Sequence, residues 1–107
     1  MIFVLFRSDV ADRAAVDEML GRVRAELGPV SLLVSNAGIA GQMQFQDLPE
    51  ADWDRYFAVN VKGAYHVIQA VLPDMLHAHA GSIVTVSSMW GLRGASCEVC
   101  YPPPRRR

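Results

Sequence analysis

Residues 30–38 read Val30-Ser31-Leu32-Leu33-Val34-Ser35-Asn36-Ala37-Gly38. The first five form a short apolar run of strand length, and the run opens directly into an asparagine and two small residues. Upstream, Val16, Met19, Leu20, Val23 and Leu27 recur at helical spacing and make one stripe of an amphipathic helix. Asp9 as N-cap and Gly28-Pro29 as a stop place that helix at Val10–Leu27. Before it, Ile2–Phe6 reads as a strand buried on both faces. Downstream, Ser35–Pro49 contains Gly38 and Gly41 and reads as a long loop. Trp53, Phe57, Val61, Ala64, Ile68 and Leu72 then recur every three or four residues, which predicts a core-facing helix over Ala51–His79. Pro73 is expected to kink or interrupt it, and His77–Gly81 to end it. Ser82–Ser87 is a third strand. The order strand–helix–strand–helix–strand predicts an α/β fold with a doubly wound parallel sheet, in which Val30–Val34 and Ser82–Ser87 pair directly.

The chain has 107 residues, 51% of them apolar and 20% charged, with a net charge of −1. That is one domain. A mean hydropathy of +0.16 excludes a disordered chain. The near-zero balance argues against a nucleic-acid partner, and without Arg105–Arg107 the body is acidic. No apolar run approaches the roughly 20 residues of a spanning helix, so no membrane partner is expected. No cation precedes Met1–Phe6, which therefore fails as a signal peptide. Two cysteines are too few for a disulfide scaffold, and a cytoplasmic location is expected.

In open parallel sheets, ligands bind beyond the carboxyl ends of the strands. Asn36 follows the second strand there, with Ala37 and Gly38 leaving room for close approach. Ser87 and Ser88 follow the third strand. Asn60 interrupts an apolar stripe, and its amide needs a partner, either local backbone or a ligand in a site. Cys97-Glu98-Val99-Cys100 matches C-x-x-C, but no second pair exists, and His66, His77 and His79 supply no converging set, so no metal is expected. The methionines read as packing.

Taken together, Asp9-Val10, Asn36-Ala37-Gly38, Asn60-Val61, Ser87-Ser88 and Tyr101 resemble the classical short-chain dehydrogenase/reductases in order and separation. Within that family the chain resembles in particular the 3-oxoacyl-(acyl-carrier-protein) reductases of fatty acid biosynthesis. Ser88 precedes Tyr101 by 13 residues, a spacing like that of the family's catalytic serine and tyrosine. The resemblance implies a partial Rossmann-like domain over residues 1–101 and a Pro/Arg-rich tail over 102–107. It implies an oxidoreductase that uses NADP or NAD, with NADP favoured, on a small carbonyl or acyl-thioester substrate. Asp9 and Val10 would contact the adenine end of the cofactor, and Asn36, Ala37 and Gly38 would line the adenosine and ribose path. Ser88 would hydrogen-bond the substrate carbonyl, Tyr101 would donate the proton, and Asn60 would anchor a water in the proton relay. Family members are usually homo-oligomers.

Two departures qualify the resemblance. The family's glycine-rich phosphate loop has no counterpart in the chain. Its strand order, 3-2-1-4-5-6-7, would make the three strands here numbers 3, 4 and 5, with the two that separate Ile2–Phe6 from the others missing. Where the family has Tyr, three residues, then Lys, the chain has Tyr101-Pro102-Pro103-Pro104-Arg105. Three prolines favour an extended segment of about 3.1 Å per residue against about 1.5 Å in a helix. Arg105 is therefore not expected in the lysine's place, and its guanidinium would not relay a proton. On this reading the chain is truncated at both ends, with a tail like that of a shifted reading frame. The alternative function is a catalytically inactive remnant, or a binding or interaction module.

Overall fold

The computed structural model describes residues 3–41 and 43–86. Helix α1 spans Arg13–Leu27, strand β1 Leu32–Ser35, helix α2 Glu50–Phe57, helix α3 Gly63–Ala78 and strand β2 Ser82–Thr85. A 3-10 turn at Phe45–Asp47 lies in the loop after β1, and a π turn at Ala58–Lys62 joins α2 to α3.

The cap of α1 is Asp12 and not Asp9. The Asp12 carboxylate accepts the backbone N–H groups of Ala14 and Ala15 at 3.0 and 3.4 Å. Asp9 instead closes the preceding turn, accepting Ala11 N–H on Oδ1 at 3.0 Å and Asp12 N–H on its carbonyl at 3.1 Å. Both residues are competent caps, and the turn decides between them. At the other end Gly28 takes φ +88°, ψ −169°, a conformation essentially confined to glycine. The C-cap of α3, His79, is left-handed with φ +52°.

Strands β1 and β2 pair in parallel, Leu32 with Ser82 through Ser35 with Thr85. A parallel pair needs a long crossover, and α2, the π turn and α3 supply it. Phe3–Phe6, the described part of the expected first strand, joins no ladder. Phe3 and Leu5 are 81% and 86% exposed, so that segment is not the doubly buried strand its composition suggested. A strand exists only through its neighbour's backbone groups, and neither β1 nor β2 pairs with it. Val4 and Phe6 are half-buried, and the Arg22 guanidinium lies over the Phe6 ring, 4.6 Å from its centroid.

The core lies between α1 and α3. Val16 and Leu20 meet Val67, Ala70, Val71 and Met75, with Val10, Met19, Val30 and Leu33 packed around them. This corrects the expected stripe on the second helical stretch. The buried face of α3 is Gly63, His66, Val67, Ala70, Val71 and Met75, whereas Trp53 and Val61 are exposed. The observed set 63, 67, 71 is one residue out of phase with 64, 68, 72, a rotation of about 100° on the helix. Phe57, Ala64, Ile68 and Leu72 of the expected stripe are half-buried; the fully buried side of α3 is set by α1, which packs against it, and not by a period carried on from Trp53 and Phe57. Pro73 does not interrupt α3, which continues to Ala78.

Arg24 fastens the two helices. Its Nε donates to Asp74 Oδ1 and Oδ2 at 3.1 and 3.0 Å, and its Nη2 donates to the Ala70 carbonyl at 2.8 Å. Asp74 also accepts the Val30 N–H at 2.9 Å, which ties the entry of β1 to the same point. The Val30 amide first, then Arg24, holds the Asp74 carboxyl below its ordinary value of 3.8, against a smaller opposing cost of burial. The other face of the sheet is open: Leu32, Val34, Val84 and Val86 are all exposed.

Candidate functional site

A cleft of about 470 Å³ lies beyond the carboxyl end of β1. One wall is Ser8, Asp9, Val10 and Ala11; the second is Ala37, Gly38 and Ile39; Arg55, Ala58 and Val59 close it from α2 and the π turn. The volume falls within the range of small-molecule sites. Four of the five residues expected to meet a cofactor, Asp9, Val10, Ala37 and Gly38, line this one cleft. Asn36, the fifth, is exposed and is not among the lining residues.

Each wall is tied to the helical crossover by one side chain. Asn60 stands in the π turn and grips the backbone of Ile39 with both ends of its amide. Its Oδ1 accepts Ile39 N–H at 2.8 Å, and its Nδ2 donates to the Ile39 carbonyl at 2.9 Å. This is the partner its half-buried amide required. A Cβ added to Gly38 would come within 3.3 Å of Asn60 Oδ1, so the small residue keeps the wall close to the helix. On the opposite side His66 is buried, with Nδ1 at 2.8 Å from the Val10 carbonyl. Val10 also presses on Gly63, where an added Cβ would meet Val10 Cγ2 at 2.6 Å.

Polar groups remain for a ligand. Asp9 Oδ2 has no hydrogen-bond partner among the described residues, since Ala11 engages Oδ1. Ser8 Oγ is the one buried side-chain oxygen or nitrogen among the described residues without a partner. A second cleft, of about 430 Å³, shares Ile39 and Arg55 with the first and adds Ala40, Asp52 and Tyr56.

Ser87, Ser88, Tyr101, Cys97 and Cys100 lie outside the described residues. Among those described, no three His, Cys, Asp or Glu side chains gather as metal ligands, and no helix is long and apolar enough to cross a membrane. Sequence reasoning missed Ser8, Arg55, Gly63 and His66. Gly63 and His66 carried a signal, a glycine and a histidine at helical spacing from the core residues Val67 and Ala70. The stripe drawn through Ala64 and Ile68 hid it.

Residues 2–103 match the family described as short chain dehydrogenase. The chain is 40% identical over 93 residues to the 3-oxoacyl-(acyl-carrier-protein) reductase FabG of Thermotoga maritima, covering 87% of this chain and 38% of that protein. It is 36% identical to L-rhamnose 1-dehydrogenase (NAD(P)(+)) of a Sphingomonas species, covering 95% of this chain and 41% of that one. The crystal structure of NAD+-bound xylitol dehydrogenase superposes with a TM-score of 0.84 at 33% identity, covering 90% of this chain and 37% of its own. The chain thus spans about two fifths of the length of these relatives. The parallel pair with its helical crossover is part of a Rossmann-type sheet, and a match running over almost every residue makes the chain a member of the short chain dehydrogenase family.

Proposed function

We propose that the chain acts in a nicotinamide-dependent oxidoreductase that interconverts a carbonyl and a hydroxyl group, and that the cleft beyond β1 receives the adenosine end of NAD or NADP. The observation that carries this reading is the convergence of Asp9, Val10, Ala37 and Gly38 on one cleft, with Asp9 Oδ2 and Ser8 Oγ unpartnered among the described residues. A carboxylate oxygen accepts from an exocyclic amine or a ribose hydroxyl, and two side chains no larger than methyl let a flat ring approach the backbone.

When bound, the cofactor supplies the hydride. The chain supplies orientation and a proton. In this reading Ser88 hydrogen-bonds the substrate carbonyl oxygen, and Tyr101 gives its phenolic proton to that oxygen as the alkoxide forms. An unperturbed phenol titrates near pH 10, so Tyr101 needs a neighbouring cation to work at neutral pH. Asn60 has both amide ends on Ile39, so a water would use its remaining amide hydrogen or lone pair.

For the substrate we propose a 3-oxoacyl thioester, supported by the 40% identity to FabG. The identities to L-rhamnose 1-dehydrogenase and xylitol dehydrogenase make sugars and polyols the competing class. A second reading, binding without turnover, is favoured by Pro102-Pro103-Pro104-Arg105 after Tyr101. One experiment separates these. NADH and NADPH fluorescence is titrated with the chain, then oxidation is followed with a short 3-oxoacyl thioester, and reduction of NAD+ with L-rhamnose and xylitol. Cofactor binding with thioester-dependent oxidation supports the first reading, and binding without turnover of any substrate supports the second. Absence of binding by either cofactor overturns both.

A further inference from the structure

We propose that His66 is a positioning residue for the cleft: it and Asn60 together set the distance between the two walls. The turn at Ser8–Ala11 is closed by its own atoms, Ala11 and Asp12 N–H both donating to Asp9. Those bonds shape the turn but do not locate it. Its hydrogen bond to the crossover is the one from His66 to the Val10 carbonyl. A carbonyl only accepts, so His66 Nδ1 carries the proton in this bond. The opposite wall is located in the same manner, by the Asn60 amide on Ile39.

Asn60 and His66 stand six residues apart on one continuous run of helical backbone. At 1.5 Å per residue that is about 9 Å along the axis, so the two ties fix both walls to one rigid rod. Gly63 lies midway, and the absence of its Cβ lets Val10 settle against the rod. His66 is only 6% exposed and contacts no cleft volume itself, so it acts through Val10. Leucine or phenylalanine there would fill the space equally well. The imidazole adds one directed donor, and through it an alignment of the Val10 backbone and the adjacent Asp9 carboxylate.

The proposal takes the identity of the ligand from the cofactor reading, but the alignment itself does not depend on it. The test uses the 107-residue chain with His66→Leu, which keeps bulk and removes the donor, and His66→Asn, whose Nδ2 stands near the position of the imidazole Nδ1. Two quantities are read: amide hydrogen exchange over Asp9–Asp12, and the dissociation constant for whichever of NADH and NADPH the parent chain binds more tightly. In His66→Leu both rise roughly tenfold, the weight of one net hydrogen bond. In His66→Asn both return to within about twofold of the parent, since a donor is restored.

Unchanged exchange over Asp9–Asp12 in His66→Leu overturns the proposal. Failure of His66→Asn to rescue does so too, because bulk alone would then be the role of the side chain. Should the parent bind neither cofactor, the oxidoreductase reading falls, and exchange over Asp9–Asp12 alone decides the fate of His66. Should His66→Leu not fold, nitrogen NMR of the parent imidazole decides: a proton on Nδ1, protected from solvent, supports the tie, and a proton on Nε2 alone overturns it.

Discussion

The seam between α1 and α3 and the cleft beyond β1 are both built on the same crossover, yet they are held by different means. At the seam, Val16 is fully buried and six apolar side chains close on one another; the Arg24–Asp74 pair fixes only their alignment. At the cleft, Val10 packs on Gly63 and the edge of the core, and directed bonds add to this: two from Asn60 to Ile39 and one from His66 to Val10. Dispersed packing is tolerant in detail and costly to remove, whereas a directed bond contributes less but dictates a geometry. Stability should therefore reside in the seam and ligand affinity in the walls.

The largest effect should come from the seam. Leu20→Ala removes a buried side chain from the middle of the cluster, and a loss of about 2–5 kcal/mol is expected in urea unfolding. Cofactor binding to the fraction still folded should be unaltered, and a wall-specific loss of affinity would break the comparison. Asn60→Ala comes next. It removes both hydrogen bonds to the half-buried Ile39 backbone, each worth about 0.5–1.5 kcal/mol net. Here the comparison predicts the reverse split, with cofactor affinity falling more than stability does; equal losses would place Asn60 with the seam.

A smaller effect belongs to acid pH. The Asp74 carboxyl is held below 3.8 by Val30 N–H and Arg24, so its ionised form adds stability that is fully present above that value. As pH falls through the lowered value, the contribution is lost. The difference in thermal midpoint between the parent and Asp74→Asn should be constant at neutral pH and shrink only below about 3.8. A gap that does not change with pH would mean the carboxylate charge contributes nothing. The smallest effect is expected from the exposed pair Arg13–Asp17, where Asp17→Ala should cost about 0–1 kcal/mol and leave affinity unchanged.

Much of this was readable in advance, and the failures share a cause. The helix stop at Gly28, the two strands expected at Val30–Val34 and Ser82–Ser87 and found at Leu32–Ser35 and Ser82–Thr85, and their parallel pairing all follow from local punctuation and from short apolar runs. So does the small-residue stretch after β1 that became one wall of the cleft. Phe3–Phe6 has the composition of a strand, but a strand is completed by a neighbour, and composition does not supply one. The choice between Asp9 and Asp12 as cap rested on the four-residue turn Asp9–Asp12. The buried side of α3 was missed by one residue because the packing of α1 decides which side is covered, and with it went Gly63 and His66.

By itself, then, the sequence determined the helices, the two paired strands, their order and the residues at strand ends, because these depend on interactions within a few positions along the chain; it did not do so for Phe3–Phe6, which has no neighbour to pair with. The tertiary structure alone decided which face of α3 is inside and which carboxylate caps α1. It also decided that Asn60 and His66 reach across 21 and 56 residues to hold the two walls. Those outcomes rest on contacts between segments distant in sequence, and the geometry of such contacts exists only once the helices have packed.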